Sequence, residues 1–141
     1  MKSIQIAATD KEILATYPVM KQLRPNVGRR EYLDLVKGQQ AEVGFQLAAL
    51  KAGGRITCVA GFRVCRSLGW GKYLYVDDLV TAAPRRSKGD GKKMFDWLVA
   101  NARKLDCDAL RLDSKLSRHE AHRFYLRERM DIDCFHFRLT L

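Results

Sequence analysis

The chemically richest stretch of this 141-residue chain is Pro84-Arg85-Arg86-Ser87-Lys88-Gly89-Asp90-Gly91-Lys92-Lys93. Two glycines one residue apart permit a tight turn whose successive backbone N–H groups point the same way. Met94, Phe95, Leu98, Val99, Ala102 and Leu105 follow at helical spacing, so the turn opens a helix spanning about Gly89 to Leu105. A helix N-terminus adds unpaired donors and partial positive charge. Arg85, Arg86, Lys88, Lys92 and Lys93 crowd the same turn. Together these features describe a cradle for phosphate. It is not a Walker loop, which needs four residues between its glycines and then Gly-Lys-Ser/Thr. It is not a dinucleotide fingerprint either, because Met94 stands where the third small residue belongs.

Two further groups can move protons. Asp77 and Asp78 lie on the apolar run Tyr73 to Thr81 that leads into the turn, and Tyr125 follows Phe124 on a later helical segment. Strand residues alternate faces, so only one of the two aspartates faces a given ligand unless a bulge intervenes.

These groups need a scaffold, and the hydrophobic periods supply one. Met1 to Ala7 reads as a strand. Thr9-Asp10-Lys11-Glu12 has the form of a capping box for a helix carrying Ile13, Leu14, Tyr17 and Met20, which Pro18 should kink or split. Tyr32, Leu33 and Val36 mark a second helix ending near Gly38. Three strands follow: Val43-Phe45-Leu47, then Ile56 to Val64 after a Gly53-Gly54 hairpin, then Tyr73 to Thr81. Beyond the cradle helix come a strand at Ala109 to Asp113, a helix opened by Ser117-Arg118-His119-Glu120 as a second capping box, and a closing strand. That last strand rests on the strict alternation of Phe135, Phe137, Leu139 and Leu141. The expected order is β-α-α-β-β-β-α-β-α-β, a mixed α/β fold with a mostly antiparallel sheet flanked by helices. With no linker in the chain, residues 1–141 read as one domain.

Composition narrows the function. Apolar residues at 47% and charged residues at 30% are globular proportions. The net charge of +10 implies an anionic partner. No run of apolar residues is long enough for a membrane span, and the start of the chain lacks the apolar core of a secretory signal. Cys58, Cys65, Cys107 and Cys134 form no CxxC pair, so free thiols and a cytoplasmic setting are expected. His119 and His122 could share a helix face, but without a third ligand they read as surface residues and no metal is expected.

Three features coincide with one known pattern: R-x-x-G-x-G at Arg86-Ser87-Lys88-Gly89-Asp90-Gly91, the strand Tyr75 to Thr81 ahead of it, and Ala121-x-x-Phe124-Tyr125 after it. In these, and in its order of elements, the chain resembles the GNAT superfamily of acetyl-CoA-dependent N-acetyltransferases. The resemblance implies that backbone N–H groups from Arg86 through Gly91, with Lys92 beside them, hold the coenzyme A pyrophosphate. It implies that the edge Leu79-Val80-Thr81 pairs with the pantetheine arm through Leu79 and Thr81, and that Tyr125 protonates the leaving thiolate. It also implies direct attack of an amine on the thioester within a ternary complex.

The attacking amine must be neutral, and a lysine-like amine has a pKa of about 10.4, so a base or a water path has to take its proton. Asp77 and Asp78 are the candidates, Asp77 favoured. The acceptor is expected to be a small-molecule or peptide amine lying against Tyr17, Met20, Leu23 and Tyr32; a homodimer is admitted, and neither a membrane nor nucleic acid is expected. One departure stands out: Arg129 occupies the position after the last helix where the family usually has glycine, at a cost of about 1 kcal/mol if the backbone there is left-handed. The rival readings are a basic nucleic-acid-binding module, which lacks zinc, RRM and helix-turn-helix patterns, and a coenzyme A-binding sensor that does not turn over.

Overall fold

The computed structural model describes residues 1–141. Its elements are β1 (Lys2–Ile6), α1 (Asp10–Leu23), α2 (Arg29–Val43), β2 (Gln46–Ala52), β3 (Arg55–Ser67), β4 (Gly71–Thr81), a 3-10 turn (Ala83–Arg85), α3 (Asp90–Lys104), β5 (Ala109–Leu112) and α4 (His119–Arg127). The chain divides into two compact units, Met1–Arg111 and Leu112–Leu141.

In the first unit the strands lie in sequence order, β1-β2-β3-β4-β5. β1 through β4 are antiparallel neighbours. The Gly53-Gly54 hairpin forms as expected, both residues at positive φ (57° and 77°), as a two-residue turn between right-twisted strands requires. β5 begins level with the start of β4, where the Asp108 N–H donates to the Lys72 carbonyl at 2.7 Å, so β4, α3 and β5 form a parallel crossover.

The Thr9–Glu12 capping box closes α1 as predicted, with both reciprocal bonds made. Pro18 does not split the helix, which runs unbroken from Asp10 to Leu23 with the proline on its exposed side. α2 does not stop at Gly38, which has open space around it, but at Gly44, whose left-handed backbone (φ 69°) caps the helix. The third segment is therefore a strand only from Gln46, and Val43 is helical. Tyr17, Met20 and Tyr32, expected to wall the acceptor site, are buried in the core that α1 and α2 form with Leu47, Val59 and Val80. The Tyr17 hydroxyl donates to the Val27 carbonyl, and the Tyr32 hydroxyl is shared with Thr16. They are packing residues because the same helical stripe that could line a pocket first has to cover the sheet.

In the second unit α4 is capped at Arg118 without a side-chain bond, so the Ser117 box does not form. Arg129 adopts the left-handed conformation (φ 68°), and the N–H groups of Arg129 and Met130 bond to the Leu126 and Tyr125 carbonyls. The non-glycine helix end is thus present, with its strain. The expected closing strand is absent: residues 130–141 have no regular structure, and Phe135, Phe137, Leu139 and Leu141 are exposed. Alternation qualifies a segment for a strand, but a strand also needs an edge to pair with.

Candidate active site

Three parts of the first unit carry the chemistry: the end of β4, the turn after it, and the bulge before it.

At the end of β4 the Ala82 N–H donates to the Thr57 carbonyl of β3 at 2.8 Å. Backbone direction alternates, so the Val80 N–H also faces β3, while those of Leu79 and Thr81 face the other way. β5 has four residues and starts level with Lys72, so it reaches only to about Val76. Beyond that point β4 has an unpaired edge that presents Leu79 and Thr81. Val80 directs its N–H toward β3, where it pairs with Val59, and its side chain lies in the core. On the open side the Thr81 carbonyl already accepts from Arg86 Nε at 3.3 Å.

The turn itself alternates handedness. Ser87 (φ 63°) and Gly89 (φ 86°) are both left-handed, which aims neighbouring amides inward. The first bond of α3 is from the Lys93 N–H to the Gly89 carbonyl (3.0 Å), so the amides of Asp90 and Gly91 have no partner within the helix. The Arg86 N–H is committed to the Ala83 carbonyl at 3.4 Å, which removes it from the expected set of phosphate donors. A Cβ at Gly91 would lie 3.1 Å from Thr81 Oγ1, a tight contact with a side-chain hydroxyl.

Asp90 is fully buried in the first turn of α3. Lys2 Nζ of β1 lies 2.6 Å from its Oδ1 and Arg85 Nε 3.1 Å from its Oδ2. Burial pushes this carboxyl up, but the Lys2 and Arg85 cations beside it outweigh burial and hold it below the ordinary aspartate range. Arg85 is thereby spent on Asp90 and is not one of the cradle's free cations.

The β3–β4 register shifts at Gly61: Gly61 faces Asp78, Phe62 faces Val76, and Asp77 is the extra residue. This is the bulge on which the reading of the two aspartates depended. Asp77 receives Arg63 Nε at 3.0 Å, and the Arg63 guanidinium lies 4.9 Å from the centre of the Tyr75 ring. Asp78 receives Arg24 Nε at 2.8 Å, while Arg24 Nη2 reaches the Asp77 carbonyl at 2.9 Å. Arg24, the C-cap of α1, thus spans both residues. Burial pushes the Asp78 carboxyl above its ordinary range, against the lowering pull of Arg24. Gly61 makes room for it, since a Cβ at that position would sit 2.5 Å from Asp78 Oδ2 and collide with the Phe45 ring.

Of the residues singled out from sequence, Leu79, Thr81, Ser87, Lys88, Gly89, Asp90 and Gly91 follow one another along this edge and turn. Lys92 pairs outward with Asp96 at 3.1 Å. Tyr125 lies in the second unit, where burial pushes its hydroxyl up and Arg118 opposes that shift. His122 Nε2 contacts the Lys115 carbonyl at 2.8 Å. Cys58, opposite Thr81, is buried, and burial pushes its thiol up to about 11. Sequence reading missed Arg24, Arg63, Lys2 and Gly61. Only Gly61 carried a local signal, since glycine inside a strand marks a bulge or close approach. A depression of about 610 Å³ lined by Arg66, Ser67, Gly71, Lys72, Asp106 and Asp108 opens at the opposite end of β4.

A mixed sheet in this order, with the end of its fourth strand running into a basic glycine turn, fits the class of fold to which the chain's relatives belong. The Acetyltransferase (GNAT) family matches residues 12–130. An uncharacterized N-acetyltransferase of Bacillus subtilis (strain 168), YhdJ, is 37% identical over 118 residues, covering 83% of each chain. Among solved structures, a transcriptional regulator from Bacillus halodurans C-125 superposes with a TM-score of 0.87 at 16% identity over the whole of both chains. An acetyltransferase of Trypanosoma brucei does so at 0.79 and 18%, again over both whole chains. At such identities these two likenesses show the fold alone. The chain belongs to the GNAT acetyltransferase family and is an acyltransferase. No helix is long and apolar enough to cross a membrane.

Proposed function

We propose that this chain, acting as a single domain, transfers an acetyl group from acetyl-CoA to the amine of a small molecule or peptide by direct attack in a ternary complex. The observation that carries this reading is the continuity of the open β4 edge at Leu79 and Thr81 with the amide-lined turn Ser87–Gly91. That is a strand-like groove for the pantetheine arm, ending in donors for a diphosphate.

The residues fit the cosubstrate. Acetyl-CoA would supply the activated thioester, with the coenzyme A thiolate as leaving group. The Leu79 N–H, which faces away from β3, would be the donor that orients the acyl arm and bonds a developing oxyanion. The amides of the turn, with Lys88 and Arg86, neutralise the diphosphate. The bulge gives the amine two carboxylates, Asp77 and Asp78. Asp77 is held by Arg63 and fixes the local field; Asp78, with its raised affinity for a proton, receives the amine's proton. The proposed proton acceptor is thus one residue beyond Asp77, the carboxylate favoured from sequence. To Tyr125 we assign the return of a proton to the departing thiolate, a role its phenol can fill because it is protonated at neutral pH. Cys58 takes no covalent part, since a thiol titrating near 11 is almost wholly protonated at neutral pH.

A thermal-shift series with acetyl-CoA, CoA, NAD and duplex DNA tests this. Acetyl-CoA and CoA at about 100 times their dissociation constants should add roughly 2.7 kcal/mol and raise the midpoint by several degrees. NAD should not. A shift with DNA alone would favour the nucleic-acid reading instead.

A further inference from the structure

The cradle is stapled from outside the family motif. Arg85 precedes the turn, Lys88 lies within it, and Asp90 follows it. Lys2, from the first strand, reaches two of these: its Nζ pairs with Asp90 Oδ1 at 2.6 Å and donates to the Lys88 carbonyl at 3.3 Å. Asp90 in turn holds Arg85 Nε at 3.1 Å. The Asp90 side chain is wholly buried, whereas the two cations are about one-third exposed (32% and 35%). A carboxylate buried beneath a site for a diphosphate is electrostatically the wrong charge, so it needs a reason to be there. Its geometry supplies one: both ends of a loop with two left-handed residues, Ser87 and Gly89, are tied to one anchor and through Lys2 to the sheet.

We infer that Lys2, Asp90 and Arg85 form a positioning clamp that holds the Ser87–Gly89 turn in its anion-binding conformation, so that the buried carboxylate strengthens coenzyme A binding in spite of its charge. The inference rests on the acetyl-CoA reading above. The clamp acts by preorganisation: amides already aimed at the diphosphate need not be ordered on binding. The three side chains sum to one positive charge; Lys2→Met leaves none, and Asp90→Asn leaves two.

Calorimetric titration of the full chain with CoA separates geometry from charge. Charge alone predicts that Asp90→Asn tightens binding, whereas the clamp predicts a dissociation constant raised about tenfold. Lys2→Met should weaken binding by a similar factor and Lys2→Arg should recover most of it. In turnover, Lys2→Met should raise the KM for acetyl-CoA with kcat little changed, and should leave the KM for acetyl-pantetheine, which lacks the diphosphate, where it was. Tighter or unchanged CoA binding by Asp90→Asn overturns the clamp. If that variant does not fold, equal losses on both acyl donors in Lys2→Met do so. A wild-type chain that fails to bind CoA removes the cofactor reading and the clamp together.

Discussion

Asp90 and Asp78 are both carboxylates withdrawn from water and both bonded to an arginine, yet the protein moves their proton affinities in opposite directions. Asp90, in the cradle, has Lys2 and Arg85 on its two oxygens and is held below the ordinary range. Asp78, at the β4 bulge, has the single Arg24 against it and Asp77 next to it, and burial wins. Two cations make a buried carboxylate a permanent anion suited to structure; one cation, offset by burial and a neighbouring anion, makes it a group that can accept a proton. The two sites differ in their partners: two cations at Asp90, against one cation and a neighbouring anion at Asp78.

The largest expected effect is on turnover. Asp78→Asn should lower kcat by about 10²–10⁴-fold, the usual range for losing a general base, while CoA binding is retained. Asp77→Asn should cost much less, because the Asp77 side chain faces Arg63. Steady-state rates at saturating acetyl-CoA decide this, and an Asp77 defect larger than that of Asp78 would reverse the assignment.

The same pair should diverge in stability. A carboxyl whose folded pKa is raised contributes stability below its unfolded pKa and loses it as pH rises through the folded value, so Asp78 costs stability at neutral pH. Asp78→Asn should therefore stabilise the fold at pH 7, by about 0.5–1 kcal/mol, the scale typical of relieving an active-site residue. Arg24 stays partly solvated without it. Asp90 is the reverse case: its lowered folded pKa contributes stability above the unfolded value, lost as pH falls through the lowered one. Asp90→Asn should destabilise by about 1–3 kcal/mol at pH 7. Urea midpoints of the two variants with the same sign of change would break the contrast.

Arg24→Gln sharpens it further. Arg24 lowers the Asp78 pKa, so its removal lets that pKa rise, and the acid limb of kcat/KM should move to higher pH. An unmoved limb would take Asp78 out of the proton path.

How far the sequence discloses these sites follows from how local they are. The cradle was legible because its glycines, cations and helix start lie within ten residues, and Arg129 because its backbone requirement is set by one position. The bulge was not, because it depends on the register between β3 and β4, and Arg24 reaches Asp78 from 54 residues away. Lys2 is farther still, 86 residues from Lys88. Helix ends were misplaced where one residue type has two meanings: Gly38 sits inside a helix and Gly44 ends it, and only the left-handed backbone distinguishes them. The alternating tail was misread because pairing is a property of the edge a segment meets.

The smallest expected effect falls on the cradle's second glycine and tests whether that side is as tightly fitted as the bulge. Gly61 has no room for a side chain, because its Cβ would displace both the Phe45 ring and the Asp78 carboxylate. Gly91 has ordinary helical φ and a single close neighbour, Thr81 Oγ1 at 3.1 Å, a hydroxyl that can give by a few tenths of an ångström. Alanine also lowers the entropy of the unfolded chain, which offsets part of the crowding. Gly91→Ala should therefore change stability by less than about 0.5 kcal/mol and leave CoA affinity within about twofold, since the diphosphate is addressed by backbone N–H groups that the substitution keeps. A loss above about tenfold would mean that the cofactor passes closer to the Gly91 α-carbon than a strand-edge and turn-amide mode of binding requires.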